Sequence, residues 1–180
     1  MNSKKVVITG GPGTGKTAII THLKAQRFMC YDEISRDVTL QARKNGVEQL
    51  FLTEPLLFSQ KLLDGRKQQF LDATQSDEDL IFLDRGLPDI LAYLDYKGDN
   101  YPKHFIEACH KHRYNFVFVL APWQNIFTSD SERYESFEDA IKIHHHLLKT
   151  YDRFGYQLID VPFGSVKSRG NFILDSLNLH

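Results

Sequence analysis

The feature that most constrains this chain is a glycine-rich octapeptide close to its start, Gly10-Gly11-Pro12-Gly13-Thr14-Gly15-Lys16-Thr17. An apolar, β-branched run over residues 6–9 precedes it and predicts a buried strand. Ile19, Ile20 and Leu23 follow at helical spacing. Strand, loop and helix are the context in which G-x-x-x-x-G-K-[ST] forms a phosphate-binding P-loop. A chance glycine turn before a helix is the weaker alternative, because four fixed positions seldom coincide in so short a chain.

The residue types of this loop suit the phosphates of ATP together with Mg²⁺. Glycines allow successive backbone N–H groups to form a concave anion nest, and the following helix directs its positive end at the phosphates. Lys16 can reach the β- and γ-phosphates, and the Thr17 hydroxyl can coordinate the metal. The residues predicted to bind the cofactor are Gly11, Pro12, Gly13, Thr14, Gly15, Lys16 and Thr17.

Composition places the chain among ordinary globular domains. Its 180 residues predict one domain over 1–180, and 42% hydrophobic with 25% charged residues is a usual balance. A net charge of −1 provides no basic field, so no nucleic-acid partner is expected. No apolar run approaches the roughly 20 residues of a membrane span. The first strand follows Met1 almost directly, without a signal peptide, and two cysteines favour a reducing compartment. We therefore expect a cytoplasmic protein; its composition carries no signal for an oligomeric state.

Alternation of apolar runs with amphipathic segments predicts an α/β fold. Strands are expected over 6–9, 28–31, 80–84, 115–120 and 157–161, with helices between them. Thr53 is the expected cap of a long helix that continues to about residue 74, and Ser136 caps another that reaches residue 154. The fold class is thus a three-layer P-loop NTPase fold, with helices flanking a five-stranded, mostly parallel sheet. The polar stretch within about 122–136 is interpreted as a lid.

Asp84 ends the apolar run of the third predicted strand, which is where a Walker B carboxylate stands. It could support Mg²⁺ or help to activate the acceptor, whereas a strand-end Asp that caps the next helix is the structural alternative. Arg85 follows directly and could contact an acceptor phosphate or the phosphoryl group in transfer. Asp84 is therefore a candidate catalytic and metal-binding residue, and Arg85 a candidate substrate-binding residue.

Glu33 follows the second predicted strand, at the edge where ligand groups gather in parallel sheets. Together with Arg36 it is predicted to share a helix face, so that Glu33 orients or deprotonates an acceptor hydroxyl and Arg36 holds an anionic group. An exposed ion pair is the alternative. Asp32 and Asp84 remain alternative bases. Within the lid, Arg133 is the candidate that neutralises the moving phosphoryl group, with a solvated loop arginine as the alternative.

These motifs together resemble the nucleoside- and nucleotide-kinase branch of P-loop proteins. The turn Asp84-Arg85-Gly86 is similar to the Asp-Arg turn of thymidylate kinases. With the P-loop, Glu33, Arg36 and the segment 133–136, it resembles the predicted ATPases grouped with the ribosylnicotinamide-kinase domain of NadR. The resemblance implies ATP and Mg²⁺ binding and transfer of a phosphoryl group to a small acceptor. The chain has no adenylyltransferase domain, so the full activity of NadR is not implied.

Other classes fit the sequence less well. A GTPase would carry an Asn-Lys-x-Asp motif, which is absent from the sequence, and an AAA+ motor usually has Glu after the Walker B Asp, where this chain has Arg85. The predicted function is an ATP-dependent phosphotransferase or ATPase acting on a nucleoside- or nucleotide-like acceptor. A non-catalytic, nucleotide-dependent switch that binds a protein or lipid partner is the alternative, and a slow ATPase acting on water is a third possibility. The sequence names neither the acceptor nor the base preference between ATP and GTP.

Overall fold

The computed structural model describes residues 3–127 and 135–178. Their strands form one five-stranded sheet in the order β2-β3-β1-β4-β5, and every neighbouring pair is parallel. The α/β fold class predicted from the sequence is confirmed. The strands are β1 (Lys4–Gly10), β2 (Met29–Tyr31), β3 (Leu80–Asp84), β4 (Phe116–Leu120) and β5 (Leu158–Asp160).

The helices connect successive strands and lie on both faces of the sheet, which makes three layers. They are α1 (Lys16–Ala25), α2 (Ser35–Lys44), α3 (Leu50–Thr53), α4 (Pro55–Gln75), α5 (Leu87–Lys97), α6 (Lys103–Lys111), α7 (Phe137–Arg153) and α8 (Val166–Asn178). A 3₁₀ turn spans Gln124–Ile126. None of the helices in the described part of the chain combines the length and apolarity needed to cross a membrane.

The side chains of β1 point alternately to the two faces of the sheet, and each face carries its own part of the hydrophobic core. Val6 and Ile8 point to one face, where α1 and α8 pack through Ile19 and Ile173. Val7 points to the other face, which is covered by α4, α5, α6 and α7. All three β1 side chains are fully buried, as expected of a parallel sheet with helices on both sides. The helices α2 and α3 pack on α4 and on each other.

Local sequence signals mark the starts of α7 and α4. The Oγ of Ser136 accepts a hydrogen bond from the N–H of Asp139, whose carboxylate in turn accepts one from the N–H of Ser136. Ser136 therefore caps α7, as predicted. The predicted cap at Thr53 is wrong. Thr53 ends the additional helix α3, where its hydroxyl donates to the Gln49 carbonyl, and Glu54 precedes α4. The sequence signal there was Pro55, which does stand in the first turn of α4.

Candidate active site

The P-loop connects β1 to α1 at the carboxyl edge of the sheet. Gly15 stands at the N-cap of α1 with φ at 85°, a left-handed conformation that favours glycine, and an added Cβ would lie 2.9 Å from Nη1 of Arg169. Nζ of Lys16 donates to the Gly11 carbonyl at 2.8 Å, and the Thr14 hydroxyl donates to the same oxygen at 3.0 Å. Lys16 is buried, whereas Thr17 beside it is exposed. The predicted cofactor-binding residues therefore form one continuous turn.

Lys16 has an unusual electrostatic environment. Burial lowers the pKa of its ammonium group to about 7, and the positive charge of Arg85 acts in the same direction. The carboxylates of Asp84, Glu33 and Asp89 oppose this shift. Negative phosphate oxygens near Lys16 would favour its charged form in the same way as these carboxylates do.

Asp84 lies beside the P-loop because β3 pairs directly with β1, with Asp84 opposite Ile8. Its side chain is buried, and burial raises the pKa of its carboxyl group even though Lys16 opposes the shift. Its Oδ1 is buried and has no hydrogen-bond partner within residues 3–127 and 135–178. Such an oxygen has capacity for a cation. Mg²⁺ is commonly held by one or two carboxylates together with substrate phosphates, so Asp84 and the hydroxyl of Thr17, at the start of the helix after the P-loop, are of the right chemistry to hold it. In residues 3–127 and 135–178, no cluster of three His, Cys, Asp or Glu residues could hold a metal by itself.

Glu33 is held between two arginines at the end of β2. Its Oε1 accepts from Nη2 of Arg66 at 2.8 Å, and its Oε2 lies 2.5 Å from Nε of Arg85. Burial alone would raise the pKa of this carboxyl group, but the two guanidinium charges and the hydrogen bonds from Arg66 and the Ser35 N–H hold it at about 2. The predicted helix face shared with Arg36 is wrong, because α2 begins only at Ser35 and Glu33 precedes it. Arg36 is exposed in the first turn of α2.

Arg85 occupies a strained position in the turn from β3 to α5. Its φ of 73° lies in the left-handed region, which is costly for a residue with a Cβ. The backbone N–H of Arg85 donates to the Ile8 carbonyl at 3.1 Å, which anchors the turn to β1. The guanidinium contacts Glu33, Asp89 and the hydroxyl of Tyr93. The positive φ aims the side chain into this cluster of partners.

Asp89 is a buried hub that the sequence analysis missed. Its Oδ1 accepts from the Thr9 hydroxyl at 2.6 Å and from Nη1 of Arg85 at 3.2 Å. Its Oδ2 accepts from the Tyr151 hydroxyl at 2.6 Å and from the Gly86 N–H at 2.9 Å. The Tyr151 hydroxyl, whose pKa burial raises well above its ordinary value, stays a donor to this carboxylate. One carboxylate thus ties together β1, the Asp84–Arg85 turn and α7.

Arg66 of α4 is the second buried residue that was missed. It is 3% exposed, and its Nη1 donates to the Gly86 carbonyl at 3.0 Å while Nη2 reaches Glu33. A sequence signal was available, because Arg66 falls within an apolar stripe of α4 at helical spacing. The buried or half-buried members of that stripe are Ser59, Leu62, Leu63, Arg66, Phe70 and Ala73. An arginine inside such a stripe needs a buried acceptor.

A cavity of about 640 Å³ opens beside the P-loop, on the side of α8. It is lined by residues 13–18 and by Trp123, Ile126, the segment 164–166 and Arg169. The ring of Trp123 stacks on that of Phe163, with centroids 4.9 Å apart. Nη2 of the buried Arg169 donates to the Thr14 carbonyl at 2.7 Å, so α8 braces the P-loop from this side. Arg169 is a further residue that the sequence analysis missed.

The predicted lid is described only at its two ends. Residues 122–127 include the 3₁₀ turn, and Ser136 begins the capping box of α7. Arg133 and the rest of segment 128–134 lie outside the described residues. Its assignment as the lid arginine therefore stays a prediction.

A parallel sheet with a P-loop after its first strand, and with an Asp-bearing strand next to it, defines a P-loop nucleotide-binding protein. The chain belongs to the family described as AAA domain, whose model matches residues 5–169. The residue after Asp84 is nevertheless Arg85, paired with Glu33, and not the Glu of the motor pattern. No curated protein sequence matches the chain significantly.

Solved structures of kinases share the fold. A deoxyadenosine kinase from M. mycoides, with dCMP and dCDP bound, has a TM-score of 0.71 at 16% identity and covers 98% of this chain and 100% of its own. NadR in complex with NR has a TM-score of 0.74 at 16% identity, and the match covers 98% of this chain but 50% of NadR. A thymidylate kinase from Ehrlichia chaffeensis has a TM-score of 0.63 at 13% identity and covers 98% and 100%. The predicted resemblance to the NadR-like kinase branch is confirmed at the level of the fold.

Proposed function

We propose that the protein is an ATP-dependent kinase that transfers the γ-phosphoryl group to a hydroxyl of a small nucleoside- or nucleotide-like acceptor. The observation that carries this proposal is the ion cluster of Glu33 and Arg85 at the same sheet edge as Lys16 and Asp84. A protein that only binds nucleotide needs the P-loop, but not a second polar cluster beside it. A cytoplasmic setting, where ATP is available, belongs to the same proposal.

The P-loop holds the transferred end of ATP. Its backbone N–H groups and Lys16 bind the β- and γ-phosphates, while Thr17 and Asp84 hold Mg²⁺. When bound, Mg²⁺ neutralises charge that develops on the phosphate oxygens. The Oδ1 of Asp84, which is buried without a hydrogen-bond partner among the described residues, supports its role in holding Mg²⁺. The cavity between the P-loop, Trp123 and residues 164–166 suits the nucleoside part of ATP, because it adjoins the P-loop and offers both apolar walls and backbone groups.

Glu33 and Arg85 face the acceptor in this proposal. With its pKa at about 2, Glu33 is ionised at neutral pH and accepts a hydrogen bond from the attacking hydroxyl. Phosphoryl transfer passes through a loose transition state, so orienting the hydroxyl matters more than an early loss of its proton. The alternative base Asp32 is less suited, because its side chain is 68% exposed and paired with Lys24. The other alternative base, Asp84, holds Mg²⁺ in this proposal.

Two arginines complete the proposed site from its periphery. Arg36, exposed at the start of α2, would contact the outer part of the acceptor. Arg133 of the lid would cover the phosphoryl group in transfer and stabilise its charge, as a positioned cation does in phosphoryl transfer. Both roles rest on the sequence pattern and on the position of these residues in the chain.

The test is acceptor-stimulated release of ADP. The protein is incubated with Mg-ATP and a panel of nucleosides, nucleotides and ribosylnicotinamide, and ADP is measured with and without each acceptor. We expect at least one acceptor to raise the rate. Lys16→Ala should lower that rate by about 10²-fold or more, because one preorganised cationic contact to the phosphates is lost. Lys149→Ala, which removes an exposed lysine of α7, is the matched control. Tight ATP binding with no acceptor effect would instead favour a switch or a bare ATPase.

A further inference from the structure

The guanidinium of Arg85 is engaged by the protein on all three of its nitrogens. Nε lies 2.5 Å from Oε2 of Glu33, Nη1 lies 3.2 Å from Oδ1 of Asp89, and Nη2 donates to the Tyr93 hydroxyl at 3.1 Å. The side chain is 12% exposed. Two of its three partners are carboxylates, so its charge is already compensated within the fold.

The buried charges around Arg85 balance one another. Arg66 and Arg85 carry two positive charges, and Glu33 and Asp89 carry two negative ones. Asp89 is 1% exposed and Arg66 3% exposed, so solvent screens these charges poorly. A phosphate-bearing acceptor would bring two further negative charges to a cluster whose four described charges already cancel. An uncharged hydroxyl brings none, and it can donate to Glu33.

A groove between α2 and α4 also lacks a positive surplus among its described lining residues. The groove has a volume of about 390 Å³; α2 follows Glu33 in the chain and α4 contains Arg66, but these two residues do not themselves line it. Its charged lining consists of Asp37, Asp64 and Lys61, two negative charges against one positive. The volume is within the range of small-molecule sites. This groove therefore offers no net positive charge to an anionic acceptor, and neither do the four charges of the cluster.

We propose that Asp89 is a specificity-determining residue: together with Glu33 it neutralises Arg85 and thereby restricts the acceptor to an unphosphorylated, hydroxyl-bearing molecule of the nucleoside class. This inference rests on the proposed kinase function. In this inference Arg85 orients Glu33 and the acceptor hydroxyl, and it does not bind a phosphate of the acceptor.

The test compares nucleosides with their own 5′-monophosphates. The P-loop is first saturated with Mg-ADP, so that an added phosphate cannot bind there. Calorimetric titration with adenosine, cytidine, thymidine and ribosylnicotinamide, and with their monophosphates, then gives the ratio of the two affinities. For the wild-type protein we expect a nucleoside to bind at least about tenfold more tightly than its monophosphate, the scale of one uncompensated charge in a poorly screened site.

Removing the charge of Asp89 should change this ratio. In Asp89→Asn the cluster gains one net positive charge, so the preference for the nucleoside should fall about tenfold or reverse. Asp89→Ser is a second charge-removing variant, whose hydroxyl can still accept the N–H of Gly86 if the Asn variant does not fold. Asp175→Asn makes the same change of charge at an exposed position of α8 and should leave the ratio unchanged.

The outcomes separate this inference from the function on which it rests. Equal binding of monophosphates and nucleosides to the wild-type protein, or a ratio that both Asp89 variants leave within twofold, would overturn the inference alone. Binding of neither class, with no acceptor-stimulated ADP release, would overturn the proposed function and the inference with it.

Discussion

Replacing Glu33 with Gln removes the negative charge that both Arg66 and Arg85 contact, and the cost follows from the pKa of the carboxyl group. Burial would raise that pKa, but the arginine charges and hydrogen bonds hold it at about 2, against an ordinary 4.5. A difference of this size corresponds to about 3 kcal/mol of folding free energy at neutral pH. It agrees with the 3–5 kcal/mol typical of a buried ion pair that loses one partner.

The pH dependence has a definite sign. Because the pKa of Glu33 is lower in the folded protein, its stabilisation is complete above pH 4.5 and is lost as the pH falls through 2. We therefore expect Glu33→Gln to lower the free energy of unfolding by about 3 kcal/mol at pH 7 and at pH 6. The gap to the wild-type protein should narrow at pH 4 and narrow further at pH 3.

Urea unfolding followed by circular dichroism at each of these pH values measures the gap. Asp32→Asn is the matched control, because Asp32 is the chain neighbour of Glu33 but is exposed and paired with exposed Lys24. It should change the free energy of unfolding by less than about 1 kcal/mol. A loss below 1 kcal/mol for Glu33→Gln at pH 7, or a gap that stays constant down to pH 3, would refute the assignment of Glu33 as the charge that binds the two arginines.

Two further predictions concern the same turn. Asp84→Asn should keep or raise the melting temperature at pH 7, because burial disfavours the charged carboxylate, yet it should lower Mg²⁺-dependent turnover about 10²-fold. Thermal unfolding measures the melting temperature, and ADP release measures the turnover. The control Asp79→Asn, at an exposed position, should change neither quantity. Gly86→Ala should cost about 1–3 kcal/mol, because its Cβ would lie 2.7 Å from the Tyr151 hydroxyl. In urea unfolding, the double variant Gly86→Ala with Tyr151→Phe should lose less stability than the sum of the two single losses, and full additivity would contradict the steric explanation.

Features encoded by neighbouring residues could be predicted from the sequence. The P-loop is a continuous motif between a strand and a helix, so its residues remain together in any fold that forms those two elements. The position of Asp84 could be predicted for the same reason, since a buried strand that ends in Asp indicates the carboxyl edge of a parallel sheet. The order of elements then leaves few arrangements of the sheet, and the observed one puts β3 next to β1.

Contacts between distant parts of the chain could not be predicted in this way. Asp89 is three residues after Gly86, a spacing that suggests helix capping, but Thr9 and Tyr151 lie 80 and 62 residues away from it in sequence. Arg169 reaches Thr14 across 155 residues. Arg85 has a positive φ, which no local pattern indicated. These positions depend on how the layers pack, and packing brings together residues that have no fixed spacing.

The placement of four buried charges beside the P-loop argues for function more than for stability. Removing carboxylates and guanidinium groups from water costs several kcal/mol for each ion, and apolar side chains of similar volume often stabilise a core at least as well. The turn from β3 to α5 and the helix α4 could therefore pack without Glu33, Arg66, Arg85 and Asp89. What apolar side chains cannot supply is an oriented, ionised carboxylate whose geometry is held by two guanidinium groups. In-line phosphoryl transfer depends on positioned polar groups of this kind, so the cluster is where the acceptor hydroxyl should be sought.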